Sequence, residues 1–322
     1  MTKVAIIGFG GMGFIHYCSY KRIEDAQVIA IADVDYEAAK EKLDDDGINV
    51  YSSMEELLEN ESPDMVDICT PTYTHAYLSI KAMEKGVHVL CEKPMSLCEE
   101  ECQQMIDASI RYNRTLMIAH VVRFGKENMY LKKVIDSGEL GALKHLDMNR
   151  ISYTPDWSWN DWMRDYEKSG GCLVDMSIHD FDLAQYMFGI PKKIGGVYHK
   201  MRDNNDFVTA NLIYDGFDVT ITGGWYSCEI PFRTGFLACF EKGYLEKVDD
   251  MLYMNGEIVE FDTIAEEVDA GINISSTEGY KEEIEYFINC INSGSEPTVV
   301  MPESSKISVA IARQISKEAI LI

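Results

Sequence analysis

The feature that most constrains the fold is an alternation of short apolar runs with helical stretches over residues 1–121. The runs are rich in valine, isoleucine and leucine, as strands buried on both faces require. Parallel strands need a crossover between them, usually a helix, so this alternation predicts a doubly wound α/β domain with a parallel sheet. The strand candidates are Val4–Gly8, Val28–Ala32, Val50–Tyr51, Met65–Cys69, Val87–Cys91 and Leu116–His120.

The pattern changes after residue 121. Between residues 193 and 253 several strand-like runs follow one another without helices, and Asp215-Gly216 gives a hairpin signal between two of them. Such a succession indicates an α+β domain with a large open, mostly antiparallel sheet. We therefore predict a Rossmann domain at residues 1–121 and a substrate-binding and oligomerisation domain at residues 122–322. The last helix could pack back on the first domain.

A glycine-rich turn, Gly8-Phe9-Gly10-Gly11-Met12-Gly13, follows the first predicted strand and opens a helix. It fits the G-x-G-x-x-G fingerprint, in which glycines allow a tight turn, close approach of the backbone to a pyrophosphate and helix–strand packing. Asp33 ends the second strand, where its carboxylate can accept hydrogen bonds from ribose hydroxyls and would repel the extra phosphate of NADP. These residues predict NAD as the cofactor, although a methyltransferase has a similar turn and acidic residue.

Two further loops follow strands of the predicted parallel sheet, at the edge where such sheets bind ligands. Thr70 and Pro71, with His75 in the next helix, are expected to border the cofactor. Glu92 and Lys93 come directly after the fifth strand, and the Lys93 ammonium could stabilise alkoxide character on a substrate oxygen. The alternatives are a simple turn with a surface histidine, and a surface Glu-Lys-Pro tripeptide.

The second domain contains a predicted helix, Leu173 to Phe188, that carries Asp175, His179 and Asp182 on one face. A carboxylate beside an imidazole is a common way to orient a general base and to tune its pKa near neutrality. The alternative is an exposed ion pair on a helix surface.

Acidic residues outnumber basic ones by 54 to 29, which gives a formal net charge of -25 at pH 7. Such a surface repels phosphate backbones and anionic lipid heads, so we expect no nucleic-acid and no membrane partner. The N-terminal apolar stretch is too short for a signal peptide, which predicts a cytoplasmic protein. The nine cysteines form no C-x-x-C or zinc pattern, which predicts free thiols and no metal site.

The glycine turn with Asp33, the Thr70 to His75 loop, Glu92-Lys93-Pro94 and the Gly170-Gly171 to His179 segment together resemble the Gfo/Idh/MocA oxidoreductase family. This family includes glucose–fructose oxidoreductase and inositol dehydrogenases. The resemblance implies a Rossmann domain and a second domain whose open sheet forms a homodimer or homotetramer. It also implies that Lys93 contacts substrate and nicotinamide, Asp175 positions the substrate, and His179 is the acid and base that exchanges the hydroxyl proton.

Some positions depart from the family pattern: Cys172 and Ser177 stand where glycine is frequent, and the arginine at Arg164 is displaced. These departures leave hydride transfer intact and leave the substrate open, since we expect such positions to line its pocket. Arg123, Trp162 and Asp182 are the remaining predicted substrate contacts. The sequence thus predicts an NAD-dependent dehydrogenase acting on a CH-OH group of a sugar, inositol or related polyol. A non-catalytic NAD-binding sensor of the same fold is the alternative.

Overall fold

The computed structural model describes residues 1–43, 47–202, 205–248, 251–261, 270–271 and 279–321. The chain divides into two compact units. The first consists of Met1–Val121 with Ala265–Lys306, and the second of Val122–Ile264 with Ile307–Ile322. Each unit is built on one sheet of its own.

The first sheet has six strands in the order β3-β2-β1-β4-β5-β6, and every neighbouring pair is parallel. This is the strand order of the Rossmann fold, which confirms the predicted doubly wound parallel sheet. Its strands are β1 (Thr2–Ile7), β2 (Ala26–Ala32), β3 (Asn49–Tyr51), β4 (Met65–Ile68), β5 (His88–Glu92) and β6 (Leu116–Ala119).

Helices alternate with these strands, as the apolar pattern predicts. They are α1 (Gly11–Tyr20), α2 (Tyr36–Lys42), α3 (Met54–Asn60), α4 (His75–Glu84) and α5 (Glu99–Tyr112). Local capping fixes several of their ends. Ser53 accepts a hydrogen bond from the Glu56 N–H at the start of α3, and Asn113 closes α5 in the left-handed region at φ 51°.

The second sheet has nine strands in the order β14-β13-β12-β11-β7-β10-β9-β8-β15. Most neighbours are antiparallel, while β7 with β10 and β8 with β15 are parallel. The predicted open, mostly antiparallel sheet is confirmed. Its strands are β7 (Leu143–Tyr153), β8 (Lys193–Arg202), β9 (Asn205–Ile213), β10 (Asp218–Tyr226), β11 (Arg233–Phe240), β12 (Tyr244–Val248), β13 (Met251–Met254), β14 (Glu257–Ile258) and β15 (Ile320–Leu321).

The remaining helices are α6 (Lys126–Ser137), α7 (Tyr166–Ser169), α8 (Gly171–Asp175), α9 (Ile178–Phe188), α10 (Tyr280–Ser293) and α11 (Pro302–Glu318). None of the helices within the described ranges has the length and apolar character needed to span a membrane.

The structure divides the chain differently from the boundary predicted at residue 121, because Ala265–Lys306 belong to the first unit. Helix α10 packs on α1, and Tyr280 shares a buried cluster with Ile15. Thr2 also donates a hydrogen bond to the Asn292 side chain over 3.1 Å. An amphipathic helix late in the chain therefore completes the first unit. The last helix, α11, has its first residues in the first unit and the rest in the second.

Candidate functional site

The turn between β1 and α1 has a backbone that only glycine allows at two positions. Gly8 has φ +89°, and a Cβ there would lie 2.8 Å from the Cys69 carbonyl oxygen. A Cβ on Gly13 would collide with the Gly8 carbonyl oxygen. A Cβ on Gly10, by contrast, would meet no atom within 4 Å. The backbone at Gly10 therefore faces open space, as close approach by a ligand requires.

The start of α1 fits a phosphate group. No side chain caps its N-terminus, so protein side chains leave the N–H groups of its first turn available to a ligand. Phe9 and Met12 contribute to packing. The Phe9 ring, 3% exposed, lies 5.7 Å from the Tyr17 ring, and Met12 packs against the Ile15 and Tyr280 cluster. The side chains of these two predicted cofactor residues are therefore used in packing within the first unit.

Asp33 lies directly after β2, against the glycine turn. Its Oδ2 accepts a hydrogen bond from the Phe9 N–H over 2.5 Å, and its Oδ1 accepts one from the Asp35 N–H over 2.8 Å. The side chain is half-buried, and each oxygen keeps a further lone pair. The carboxylate is therefore rigidly held and can accept two ribose hydroxyls.

His75 connects the two other predicted loops. Its side chain is buried, with Nε2 2.8 Å from the Thr70 carbonyl oxygen and Nδ1 2.8 Å from the Pro94 carbonyl oxygen. Burial lowers the pKa of His75. The alternative of a surface histidine is wrong, and the histidine ties the loop after β4 to the loop after β5.

Glu92 ends β5 and is 5% exposed. Its Oε2 accepts a hydrogen bond from the Lys93 N–H over 3.0 Å, and its Oε1 lies 3.1 Å from His16 Nε2. Lys93 follows directly and is half-buried. The carboxylate thus has contacts within the protein, while the lysine side chain reaches solvent.

Our sequence reasoning missed His16 and Asp67, which join Glu92 in a buried cluster. His16 Nδ1 lies 2.8 Å from Asp67 Oδ2, and both residues are 0% exposed. The signal was available in the sequence. Asp67 interrupts the apolar run Met65-Val66-Asp67-Ile68, and a carboxylate in a strand buried on both faces needs a partner.

In the second unit, the segment predicted as one helix is two. Helix α8 ends at Asp175 and α9 begins at Ile178, with Met176 and Ser177 between them. Asp175 is buried and His179 half-buried. The two residues therefore flank a break, and the prediction that they share one continuous helix face is wrong.

The start of α8 explains the Gly170-Gly171 pair. Both glycines have positive φ, and a Cβ on Gly171 would collide with the carboxylate of Asp206. That buried carboxylate accepts the Cys172 N–H over 2.7 Å. Burial raises the pKa of Asp206. The pair thus lets a buried carboxyl group cap the helix that ends in Asp175.

Arg123 and Asp182 form a buried ion pair with each other. Arg123 Nε and Nη2 donate to the two Asp182 oxygens over 2.7 and 2.6 Å, and their side chains are 1% and 0% exposed. Ser308 donates to the same carboxylate over 2.8 Å. Exposure this low does not fit the predicted substrate contacts at Arg123 and Asp182, because both charged groups are used inside the unit.

A second buried ion pair holds α9 at Asp180. Arg150, on β7, donates to both oxygens of Asp180 over 3.0 Å. Asp180 and Asp182 follow His179 by one and three residues. The two ion pairs therefore hold the first turns of α9, which carry His179. Bidentate arginine–carboxylate pairs hold a defined geometry.

Two of the three positions that depart from the family pattern are in the core of the second unit, whereas the side chain of the third, Arg164, is 36% exposed. Cys172 and Ser177 are 0% exposed, and Cys172 packs with Met163, Met176 and Trp225. Cys172 and Ser177 therefore do not line an accessible pocket, contrary to expectation. Trp162 is half-buried and packs against the same cluster, which leaves part of its ring accessible.

Two family models match the chain. Residues 2–120 match the NAD-binding Rossmann-fold domain of the GFO/IDH/MocA oxidoreductase family, and residues 129–246 match the GFO/IDH/MocA C-terminal domain.

Individual proteins are similar as well. The chain is 33% identical over 204 residues to an uncharacterized oxidoreductase of Bacillus subtilis, covering 62% of this chain and 58% of that protein. It is 34% identical over 188 residues to myo-inositol 2-dehydrogenase of Thermotoga maritima, covering 58% and 55%. The matches thus span little more than half of these relatives. The structure of UDP-N-acetylglucosamine 3-dehydrogenase from Acidithiobacillus ferrooxidans superimposes with a TM-score of 0.78 at 25% identity, covering 99% of this chain and 97% of that one.

Proposed function

Because this chain belongs to the Gfo/Idh/MocA oxidoreductase family, we propose that it is an NAD-dependent dehydrogenase acting on a hydroxyl carbon of a sugar, inositol or related polyol. The observation that best supports NAD as the cofactor is the position of the Asp33 carboxylate, which the Phe9 N–H holds against the glycine turn. The names of the relatives, which include inositol and sugar dehydrogenases, support the substrate class.

The first unit is proposed to bind NAD through the turn Gly8–Gly13, Asp33, Thr70 and Pro71. Bound NAD would accept the hydride from the substrate or return it. The α1 N-terminus would hold the pyrophosphate, and Asp33 would accept hydrogen bonds from the ribose hydroxyls. The buried contacts of Glu92 and His75 support a role in holding these loops rather than direct contact with the cofactor.

Three residues are proposed to act on the substrate. His179 would remove the hydroxyl proton during oxidation and return it during reduction. Lys93 would donate a hydrogen bond to the same oxygen and stabilise its negative charge. Asp175 would orient the substrate. Trp162 stays a proposed substrate contact, whereas the internal pairing of Arg123 and Asp182 supports a role in fixing α9.

The exposed apolar residues on one face of the second sheet support the proposal of a homodimer or homotetramer. Strand register places Val197, Ile213 and Leu237 on the same face, and they are 36%, 41% and 37% exposed. We propose that this homo-oligomer works in the cytoplasm on a small-molecule substrate.

The first experiment is a substrate panel. Purified protein is mixed with NAD and with individual inositols, aldoses and amino sugars, and NADH formation is followed by absorbance. We expect turnover with at least one neutral polyol and none with the Lys93→Ala variant. Tight NADH binding without turnover of any compound would contradict the proposal and favour the non-catalytic sensor.

Replacing Asp33 with serine should change the cofactor preference. Removal of the carboxylate takes away the ribose contacts and the repulsion of the NADP phosphate, so the ratio of kcat/KM for NADP to that for NAD should rise by at least about tenfold, or roughly 1.4 kcal/mol. The ratio is measured with the substrate found in the panel, and NADPH binding gives the same comparison without turnover.

Asp35→Ser is the matched control for this prediction. It removes one negative charge two residues away, from the cap of α2, and should leave the ratio unchanged. An unchanged ratio in Asp33→Ser would show that Asp33 does not select the cofactor.

A further inference from the structure

We propose that His16 and Glu92 are positioning residues for Lys93, the last member of a chain of alternating charges that runs through Asp67, His16 and Glu92. The proposal rests on the proposed function of Lys93. All four residues belong to the first unit, and the three behind Lys93 lie on α1, β4 and β5.

The imidazole of His16 bridges two carboxylates. Its Nδ1 lies 2.8 Å from Asp67 and its Nε2 lies 3.1 Å from Glu92. Only the doubly protonated ring can donate to both acceptors at once. Although burial alone lowers the pKa of His16, the charge and hydrogen bond of Asp67 raise the pKa well above its ordinary value. The two hydrogen bonds, one to each carboxylate, therefore support a buried imidazolium.

The surroundings of the ring support the charged form. Tyr20, on α1, donates to Asp67 over 2.9 Å, and the Tyr280 ring of α10 lies 5.6 Å from the imidazole. The other titratable groups near this cluster include Cys69 after β4, Cys91 on β5, His75 of α4 and the fully buried Glu283 of α10. Asp67 and Glu92 face the imidazolium directly, and Lys93 lies beyond Glu92.

A metal ion is a poorer explanation of the same cluster. The ligand atoms of His16, Asp67 and Cys69 lie within 4.8 Å of one another. The His16–Asp67 distance of 2.8 Å, however, is that of a charged hydrogen bond. Desolvation raises the pKa of the Cys69 thiol, so a metal ion would have to displace its proton in order to bind there. Two hydrogen bonds from the His16 ring satisfy the facing carboxylate oxygens without an ion.

Glu92 transmits this arrangement to Lys93. Burial alone raises the pKa of Glu92, but the hydrogen bond and charge of His16, with the charge of Lys93, lower the pKa overall. One carboxylate oxygen faces His16 and the other accepts the Lys93 N–H. The backbone that carries the lysine is thereby held, and the charge of Glu92 interacts with the charge of Lys93. Without His16, the carboxylates of Asp67 and Glu92 would lose the cation that lies between them, and Glu92 would move or take up a proton.

The kinetic test compares Glu92→Gln and His16→Gln with the parent. Glu92→Gln keeps the shape of the side chain and removes its charge. Because a positioning defect misplaces a group that acts in the transition state, we expect kcat to fall by about 10- to 100-fold. NADH affinity, which also reports folding, should change less than about twofold. The double variant should be no slower than the slower single one, since both changes break the same chain.

Two measurements decide the proposal independently of turnover. The ¹⁵N NMR spectrum of the His16 ring should show both nitrogens protonated at pH 8. The rate at which an amine acylating reagent modifies Lys93, measured by mass spectrometry without NAD, should rise in both variants. If the parent turns over no substrate but these results hold, the proposed function fails while the charge chain stands.

His145→Gln is the matched control, because it removes a histidine paired with Asp218 over 2.9 Å on the second sheet. It should change neither kcat nor the modification of Lys93. A neutral His16 at pH 8, a stoichiometric bound metal, or Glu92→Gln with parental kcat and parental Lys93 reactivity would each overturn the proposal.

Discussion

Replacing His179 with asparagine is expected to lower kcat by roughly 10²- to 10⁴-fold, the usual contribution of a general acid and base. Asparagine keeps a polar side chain of similar size but cannot exchange a proton near neutral pH. NADH affinity should stay at the parental value, because the proposed cofactor contacts lie in the first unit and His179 lies in the second. The measurements are steady-state turnover of the panel substrate and NADH fluorescence titration.

The structure provides a reason to expect a loss of chemistry rather than of folding. His179 is half-buried at the start of α9, and two neighbouring ion pairs, Arg150–Asp180 and Arg123–Asp182, hold that helix without it. Substitution of the imidazole leaves both pairs intact. The intrinsic fluorescence spectrum should therefore match that of the parent.

The control for this substitution is His199→Asn, in the same unit. His199 lies on β8 and stacks on Phe207, with ring centroids 4.7 Å apart. Its replacement should leave kcat within about threefold of the parent, as expected for a histidine without a catalytic role. Turnover by His179→Asn at the level of this control would exclude His179 as the acid and base.

The architecture of both sheets could be predicted from the sequence because it depends on local periodicity. Apolar runs separated by helices specify parallel strands, and runs joined by turns such as Asp215-Gly216 specify antiparallel ones. The glycine turn was predictable for a similar reason. The φ of Gly8 and the lack of room at Gly13 are properties of a few consecutive residues.

Features that depend on contacts between distant segments could not be predicted from local periodicity. The return of α10 to α1 joins residues more than 250 positions apart, and no local pattern shows which surface an amphipathic helix covers. The break at Met176 and Ser177 is hidden because both residues suit a helix. At the break, Ser177 packs against a distant strand, where Gly223 leaves room for its hydroxyl.

The role of charged residues was the hardest part of the site to predict. Arg123 and Asp182 are 59 positions apart, and each alone looks like a polar residue available to a substrate. Only their pairing identifies them as internal. The same holds for His16, Asp67 and Glu92, which come from three elements. A charged residue within an apolar run predicts that a partner exists, but the sequence does not name that partner.

The largest expected effect on stability is that of Asp182→Ala. The substitution removes the carboxylate that accepts two hydrogen bonds from Arg123 and one from Ser308, and it leaves a guanidinium with 1% exposure without its anion. Breaking a buried pair on one side typically costs about 3–5 kcal/mol. We expect the free energy of unfolding of the second unit to fall by that amount. We also expect α9 to be held less firmly, because Asp182 ties it to Arg123 and Ser308.

The measurement is selective for this unit, because all four tryptophans, Trp157, Trp159, Trp162 and Trp225, lie in it. Urea unfolding followed by tryptophan fluorescence therefore reports the second unit.

The control is Asp136→Ala, which breaks the exposed Lys132–Asp136 pair on α6 and should cost no more than about 0.5 kcal/mol. The double variant Arg123→Met, Asp182→Leu should recover most of the loss, since an apolar pair of similar volume needs no compensating charge. If Asp182→Ala were as stable as the control, Asp182 would not be a structural anchor, and its carboxylate would again be a candidate for the substrate.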